Sequence, residues 1–241
     1  MIPIDRSIAL TALSCLDLTS LNDNEQPHDI QELVERAATI HGPVAAVCVY
    51  SKHLDQPYFS VPDARIKVAT VVNFPHGQGT AEDVYVETEM AIRHGADEID
   101  LVLPYHDLHD AASVINACRT ACKDAVLKVI LETGELQDAA SIDKASRIAL
   151  NEGADFLKTS TGKTKTSATL AATATMLKAI KTVGRPVGLK PSGGIKTLAQ
   201  AKVFIDQAQR ALGPLTASNF RLGASSLLTD ILIALRQDEG A

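Results

Sequence analysis

At 241 residues, 46% hydrophobic and 22% charged, the chain is long enough to bury one sizeable core. A formal net charge of −6, an aromatic content of 4% and the lack of tryptophan argue against nucleic acid or an anionic membrane surface as partner. Four cysteines (Cys15, Cys48, Cys118, Cys122) are too few and too irregular for a disulfide framework, and no apolar run reaches transmembrane length.

The first element is "RSIALTALSCL", which loosely mimics a signal segment. It carries a single Arg6 and Asp17 follows at once, so a starting helix is expected, in a cytoplasmic protein. Strand candidates then follow in order: "CLDLT" (15–19), "VAAVCVY" (44–50), "RIKVATVVNF" (65–74), "DEIDLVLP" (97–104), "AVLKVILE" (125–132), "ADFLKTS" (154–160), "PVGLKPS" (186–192) and "NFRLG" (219–223). The six long runs are apolar and β-branched, and each is read as followed by an amphipathic segment of helical length. "TAEDVYVETEMAIRHG", for instance, opens on a Thr80–Asp83 capping box and closes on Gly95. Within the helix that follows "DEIDLVLP", Cys118 and Cys122 share a face and read as small buried hydrophobes of a reducing compartment. No linker or low-complexity segment interrupts the series, so residues 1–241 are read as a single domain.

Continuous apolar strands alternating with helices indicate a covered parallel sheet. Eight βα units in this length point to an α/β (β/α)8 TIM barrel. An open doubly wound sheet with a dinucleotide fingerprint is the rival, but no G-x-G-x-x-G follows any strand.

The chain also echoes itself. "HGADEID" (94–100) and "EGADFLK" (152–158) each run through Gly-Ala-Asp into a strand, which puts Asp100 and Lys158 at the same position on the fourth and sixth strands. Alternate strands of such a barrel share interior layers, so the carboxylate and the amine are expected together near the C-terminal mouth. The seventh strand ends with Lys190, and Gly188 leaves space on the same face. A lysine here can be a structural ion pair, a point charge for phosphate or a Schiff-base nucleophile. The last needs a neutral amine, and a free lysine, titrating near ~10.4, is only about 0.04% neutral at pH 7. A second ammonium ~5 Å away at an effective dielectric of ~20 costs about 3 kcal/mol and lowers that value by roughly two units. The Lys158–Lys190 pair therefore favours the nucleophile. Asp100 is placed to relay protons; Asp17 is a second inward candidate that reads equally as a bond to local backbone.

Glycine-rich corners at "TSTGK" (159–163), "PSGG" (191–194) and "GASS" (223–226) can form an anion nest after the last three strands. "TGK" lacks the Walker spacing, since no glycine stands five residues before Gly162. His106 and His109 in "LPYHDLHD" gain no third histidine for a metal site and read as a polar loop, and His76 in "NFPHG" reads as a turn residue.

Taken together, "LDLTSL", "TVVNFPHG", "GADEIDLVLPY", "LKVILETGEL", "GADFLKTSTGK", "VGLKPSGGIKT" and "FRLGASSLL" closely resemble the class I 2-deoxyribose-5-phosphate aldolases, in order and over nearly the whole chain. The resemblance implies a (β/α)8 barrel that reversibly cleaves 2-deoxy-D-ribose 5-phosphate to acetaldehyde and D-glyceraldehyde 3-phosphate, with no metal and no cofactor. It makes Lys158 the imine-forming residue, Lys190 the neighbour that tunes it, Asp100 the proton-relay acid and Asp17 the aspartate of the "DLT" motif. Phosphate would rest on Gly162, Lys163, Gly193, Gly194, Ser225 and Ser226. The implied partners are small molecules, sugar phosphate and acetaldehyde, with no nucleic acid and no membrane, and the family allows a homodimer. Ser192 stands where the family carries alanine, and "LRQDEGA" lacks the terminal tyrosine that some members use in proton transfer. Alternatives are an imine-forming aldolase for another sugar phosphate, a metal-dependent aldolase and a non-catalytic sugar-phosphate sensor.

Overall fold

The computed structural model describes residues 6–136 and 138–237. The starting helix is α1 (Arg6–Ser14), and the barrel strands are β1 (Leu16–Thr19), β2 (Ala46–Val49), β3 (Lys67–Val72), β4 (Glu98–Val102), β5 (Val126–Ile130), β6 (Phe156–Lys158), β7 (Gly188–Lys190) and β8 (Leu222–Ala224). All eight expected strands form; the first seven are shorter than their apolar runs, and β8 reaches one residue past "NFRLG" to Ala224. The remaining long helices are α2 (Pro27–Arg36), α3 (Ala81–Arg93), α4 (Ala111–Cys122), α5 (Ala139–Asn151), α6 (Leu170–Thr182), α7 (Leu198–Leu212) and α8 (Leu227–Gln237). Among the described residues, no helix is long and apolar enough to cross a membrane.

The strands pair in parallel, in the order β8-β1-β2-β3-β4-β5-β6-β7. Closure between β7 and β8 comes from two parallel bridges, Leu189 with Phe220 and Ser192 with Gly223. Their hydrogen bonds run from Leu189 N to Asn219 O (3.1 Å), Arg221 N to Leu189 O (3.0 Å) and Gly223 N to Pro191 O (2.9 Å). The sheet is thus a closed (β/α)8 barrel.

One expected helix is missing. After β2 the chain makes a single 3₁₀ turn, Ser51–His53, and then runs irregularly to β3. Pro57 and Pro62 lie in that stretch, and each lacks the N–H a helix interior needs.

Strand residues alternate between two layers. Leu16, Leu18, Val47, Val49, Val72, Ile99, Leu101, Leu127, Val129, Leu157, Leu189 and Leu222 join the main core beneath the helices. The residues between them turn inward. On β2 and β3 these are small and apolar, with Ala46, Cys48, Ala69 and Val71 forming a second cluster. On β1 and on β4 to β7 they include the charged Asp17, Glu98, Asp100, Lys128, Lys158 and Lys190, so continuous apolar character belongs to only part of the barrel. Gly188 does make room: a Cβ there would lie 2.1 Å from Cε1 of the Phe156 ring.

The sequence echo has a structural counterpart. Gly95 (φ 94°) and Gly153 (φ 87°) end α3 and α5 in the left-handed region, a turn that glycine makes without strain. The following aspartates pin the neighbouring strand: Asp97 Oδ2 accepts from Val68 N (2.9 Å), and Asp155 Oδ2 from Leu127 N (2.8 Å). Each unit therefore sets the register of the strand that carries Asp100 or Lys158. The α3 capping box forms as expected, Thr80 accepting from Asp83 N and Asp83 from Thr80 N.

Candidate active site

Inside the barrel, β4 supplies Asp100, β6 Lys158 and β7 Lys190, and the three meet. Lys158 Nζ and Lys190 Nζ both donate to Asp100 Oδ2, at 2.7 and 2.6 Å. Asp17 of β1 faces the same group rather than local backbone: its Oδ2 lies 2.5 Å from Lys190 Nζ, and its Oδ1 accepts from Arg221 Nη1 at 2.6 Å. All four residues named from sequence as catalytic candidates are thus brought together, each 3% exposed or less.

Three members were not anticipated. Lys128 Nζ, in the middle of β5, lies 2.5 Å from Glu98 Oε2, 2.9 Å from Asp100 Oδ1 and 3.3 Å from Asp17 Oδ2. Arg221 clasps Glu98 through both terminal nitrogens, Nη2 to Oε1 at 2.6 Å and Nη1 to Oε2 at 3.0 Å, with its guanidinium 5.6 Å from the centre of the Phe156 ring. For Glu98 and Lys128 the signal was the two-residue strand period. Glu98 stands two positions before Asp100, and Lys128 interrupts an otherwise apolar run.

The amines differ in their protonation. Burial pushes the Lys158 amine down, the Lys190 charge adds to that, and Asp100 pulls it partly back. Burial pushes Lys190 and Lys128 down too, but their carboxylate neighbours outweigh it and hold both ammoniums above the ordinary range. Burial would raise the Asp100 carboxyl, yet Lys128, Lys158 and Lys190 hold it well below the usual carboxylate range, and Asp17 is likewise held down by Arg221, Lys128 and Lys190. The second ammonium does lower the Lys158 amine, as expected. Burial is the larger cause, and the carboxylate shared by the two amines opposes it.

Lys158 also lines a cleft of about 240 Å³ at the C-terminal mouth of the barrel. All six residues expected to bind phosphate line this cleft: Gly162, Lys163, Gly193, Gly194, Ser225 and Ser226. Gly162, Gly193 and Gly194 have φ of 80°, 81° and 75°, and a Cβ on Gly193 would fall 2.4 Å from Ser167 Oγ. Ser225 and Ser226 immediately precede α8, where unpaired N–H groups of a helix start favour an anion. The surrounding loops are tied down by side chains. The buried Glu132 accepts from Thr161 N (3.1 Å), Thr161 Oγ1 (2.5 Å) and Thr164 Oγ1 (3.1 Å). Ser192, the departure from the family pattern, uses its hydroxyl to join the loops after β6 and β7, donating from Oγ to Ser160 O at 2.5 Å.

His76, His106 and His109 are exposed. Among the described residues, no group of three His, Cys, Asp or Glu side chains is arranged to hold a metal ion. The four cysteines are buried and free. The end of "LRQDEGA", residues 238–241, lies outside the described residues.

A chain with this cleft and this buried amine can be compared with known proteins. The profile of the DeoC/LacD family of aldolases matches residues 11–231. A deoxyribose-phosphate aldolase of Agrobacterium fabrum (strain C58 / ATCC 33970) is 46% identical, over 98% of this chain and 95% of the relative. Among solved structures, a Toxoplasma gondii ME49 protein provisionally assigned as a deoxyribose-phosphate aldolase superposes with a TM-score of 0.88 at 25% identity, covering 98% of this chain and 97% of that one. A tetrameric deoxyribose phosphate aldolase of Aeropyrum pernix shares the fold, with a TM-score of 0.79 at 23% identity over 97% and 99% of the two chains. With its profile met across most of the barrel and a relative nearly half identical along its length, the chain belongs to the DeoC/LacD family of aldolases.

Proposed function

We propose that this chain reversibly cleaves 2-deoxy-D-ribose 5-phosphate to acetaldehyde and D-glyceraldehyde 3-phosphate through an imine on Lys158, with residues 1–241 acting as one catalytic barrel. The observation that carries the reading is the position of Lys158. It lines the cleft while its amine, unlike those of Lys128 and Lys190, is pushed below the ordinary lysine range. The name of the 46% identical relative supports the choice of substrate.

The chemistry follows from the arrangement. The neutral Lys158 nitrogen attacks the C1 aldehyde, and loss of water leaves an iminium, an electron sink two bonds from the C2–C3 bond. A base takes the proton of the C3 hydroxyl, the C2–C3 electrons move into the iminium, and D-glyceraldehyde 3-phosphate departs. The remaining enamine is protonated at C2, and water then releases acetaldehyde and the free amine. Asp100, hydrogen-bonded to both Lys158 and Lys190, is the group through which Lys190 hands protons on. Gly162, Lys163, Gly193, Gly194, Ser225 and Ser226 hold the phosphate at the far end, so that binding there orients C1 over Lys158. Asp17 keeps Lys190 charged.

Reductive trapping tests this. Incubation with acetaldehyde and borohydride should add one ethyl group to Lys158, read by peptide mass spectrometry. A folded protein with no adduct refutes the imine, and an adduct on Lys190 reverses the two lysines. Cleavage rates across a panel of sugar phosphates separate this substrate from others. The cytoplasmic location rests on the sequence reading of the N-terminal segment and the cysteines, and the homodimer on the family resemblance; sedimentation of the purified protein decides the second.

A further inference from the structure

The charge count of the buried network leads beyond the residues at the cleft. Three carboxylates (Asp17, Glu98, Asp100) meet four cations (Lys128, Lys158, Lys190, Arg221), all with side chains 6% exposed or less. Fully ionised, the cluster carries one surplus positive charge; with Lys158 as the free amine it is neutral. The contacts are unequal as well. Lys128 is within ion-pair distance of three carboxylates, Lys190 of two and Arg221 of two, but Lys158 only of Asp100. An uncompensated charge is costly in a dry interior, so the surplus proton leaves from the amine with the fewest carboxylates.

We infer that Glu98 and Arg221 are positioning residues for catalysis: an ion pair below the reacting centre that fixes the network's charge balance, so that Lys158 is the amine released as the nucleophile. This rests on the imine reading of Lys158. Neither residue lines the cleft at the C-terminal mouth; both line an opening at the other end of the barrel. Facing Lys158 are Asp100, Lys128 and Lys190, with Asp17 beyond Lys190. Also near are the Cys48 thiol, which burial pushes up and keeps neutral, and Lys163 and Lys196 along the cleft. The Glu98–Arg221 pair reaches this group through Lys128 and Asp17.

Removing the Arg221 charge leaves three carboxylates against Lys128 and Lys190, so Lys158 keeps its proton as the third cation. Removing the Glu98 charge leaves a surplus cation even with Lys158 neutral, so Lys158 gives up its proton more readily. Removing both restores the balance. The measurement is the rate of borohydride-trapped ethylation of Lys158 by acetaldehyde in the full chain, as a function of pH. In Arg221→Gln the acid limb should move up by about one pH unit, the shift that a unit charge roughly 10 Å away gives at an effective dielectric of ~20. In Glu98→Gln it should move down by a similar amount, and the double variant should return to the wild-type limb. A structural lesion would not give opposite signs and cancellation. Shifts in the same direction, or none in variants folded by circular dichroism, overturn the inference. If Arg221→Gln does not fold, Glu98→Gln decides alone: a downward shift supports the charge balance and any other result overturns it. A wild-type protein without a Lys158 adduct at any pH refutes the imine reading itself, a failure distinct from an adduct whose limb does not move.

Discussion

The two faces of the barrel strands obey different rules, and β5 shows both within three residues. Leu127 and Val129 turn outward into the apolar layer beneath the helices, while Lys128 between them turns inward onto three carboxylates. The outer layer is held by burial, which is non-directional and tolerates small changes of shape. The inner layer is held by ion pairs whose loss in a dry interior is costly, and it keeps one amine, Lys158, in a state that folding alone would not select. Stability and chemistry are therefore housed on opposite sides of the same backbone.

The sharpest way to break the comparison is Lys158→Met. It should lower the rate of cleavage by about 10⁴-fold or more, since the nucleophile is gone. It should not lower the melting temperature at neutral pH. Because burial pushes the Lys158 amine below its ordinary value of 10.5, protonating it costs the folded state more than the unfolded one. That cost is fully present below the folded value and shrinks as pH rises to 10.5. Wild-type stability should thus rise with pH across this window, and the methionine variant should lose that rise. A variant melting well below the wild type would place Lys158 among the groups that hold the barrel together. Next in size is the outward neighbour: Leu127→Ala should cost about 2–4 kcal/mol by urea unfolding while leaving kcat within a few-fold. If it abolished activity without unfolding the chain, the division between faces would fail.

How far this division could be read in the sequence depended on the strand. A polar residue near the end of an apolar run stands out, as Lys158 and Lys190 do, and Asp100 was found through its echo of Lys158. Lys128 carries the same signal but lies mid-strand in "AVLKVILE", which reads as one continuous apolar strand. Glu98 and Arg221 sit at strand beginnings, where charge is ordinary. Their meaning comes from a contact spanning 123 residues, and the Arg221–Asp17 contact spans 204. Such pairings follow from barrel closure, which local pattern does not encode. Pro57 and Pro62 carried the signal for the missing helix after β2. The cleft was readable because glycine turns after the last three strands announce themselves by composition.

At the cleft, Lys163→Ala should raise KM for the sugar phosphate about tenfold, the ratio given by roughly 1.4 kcal/mol of lost binding, with kcat nearly unchanged. Equal KM values would remove Lys163 from the phosphate site while leaving the inner network untouched.

The smallest effects should come from the two Gly-Ala-Asp turns, which belong to neither face but set the register of both. Asp155 Oδ2 accepts from the N–H of the buried Leu127 and from Arg119 Nη1, each at 2.8 Å. Asp97 Oδ2 accepts from the more exposed Val68 N, at 2.9 Å. Asp155→Ala should therefore cost about 1–3 kcal/mol, since water reaches the stranded N–H poorly, and Asp97→Ala less. Asp155→Asn keeps an acceptor and gives up only a half-exposed ion pair with Arg119, so it should cost under ~1 kcal/mol, and the loss should fade at high salt. Urea unfolding at two ionic strengths ranks the three. If Asp97→Ala were the costlier alanine, the β3–β4 register would depend on its aspartate more than the β5–β6 register does, and the two halves of the echo would have exchanged roles.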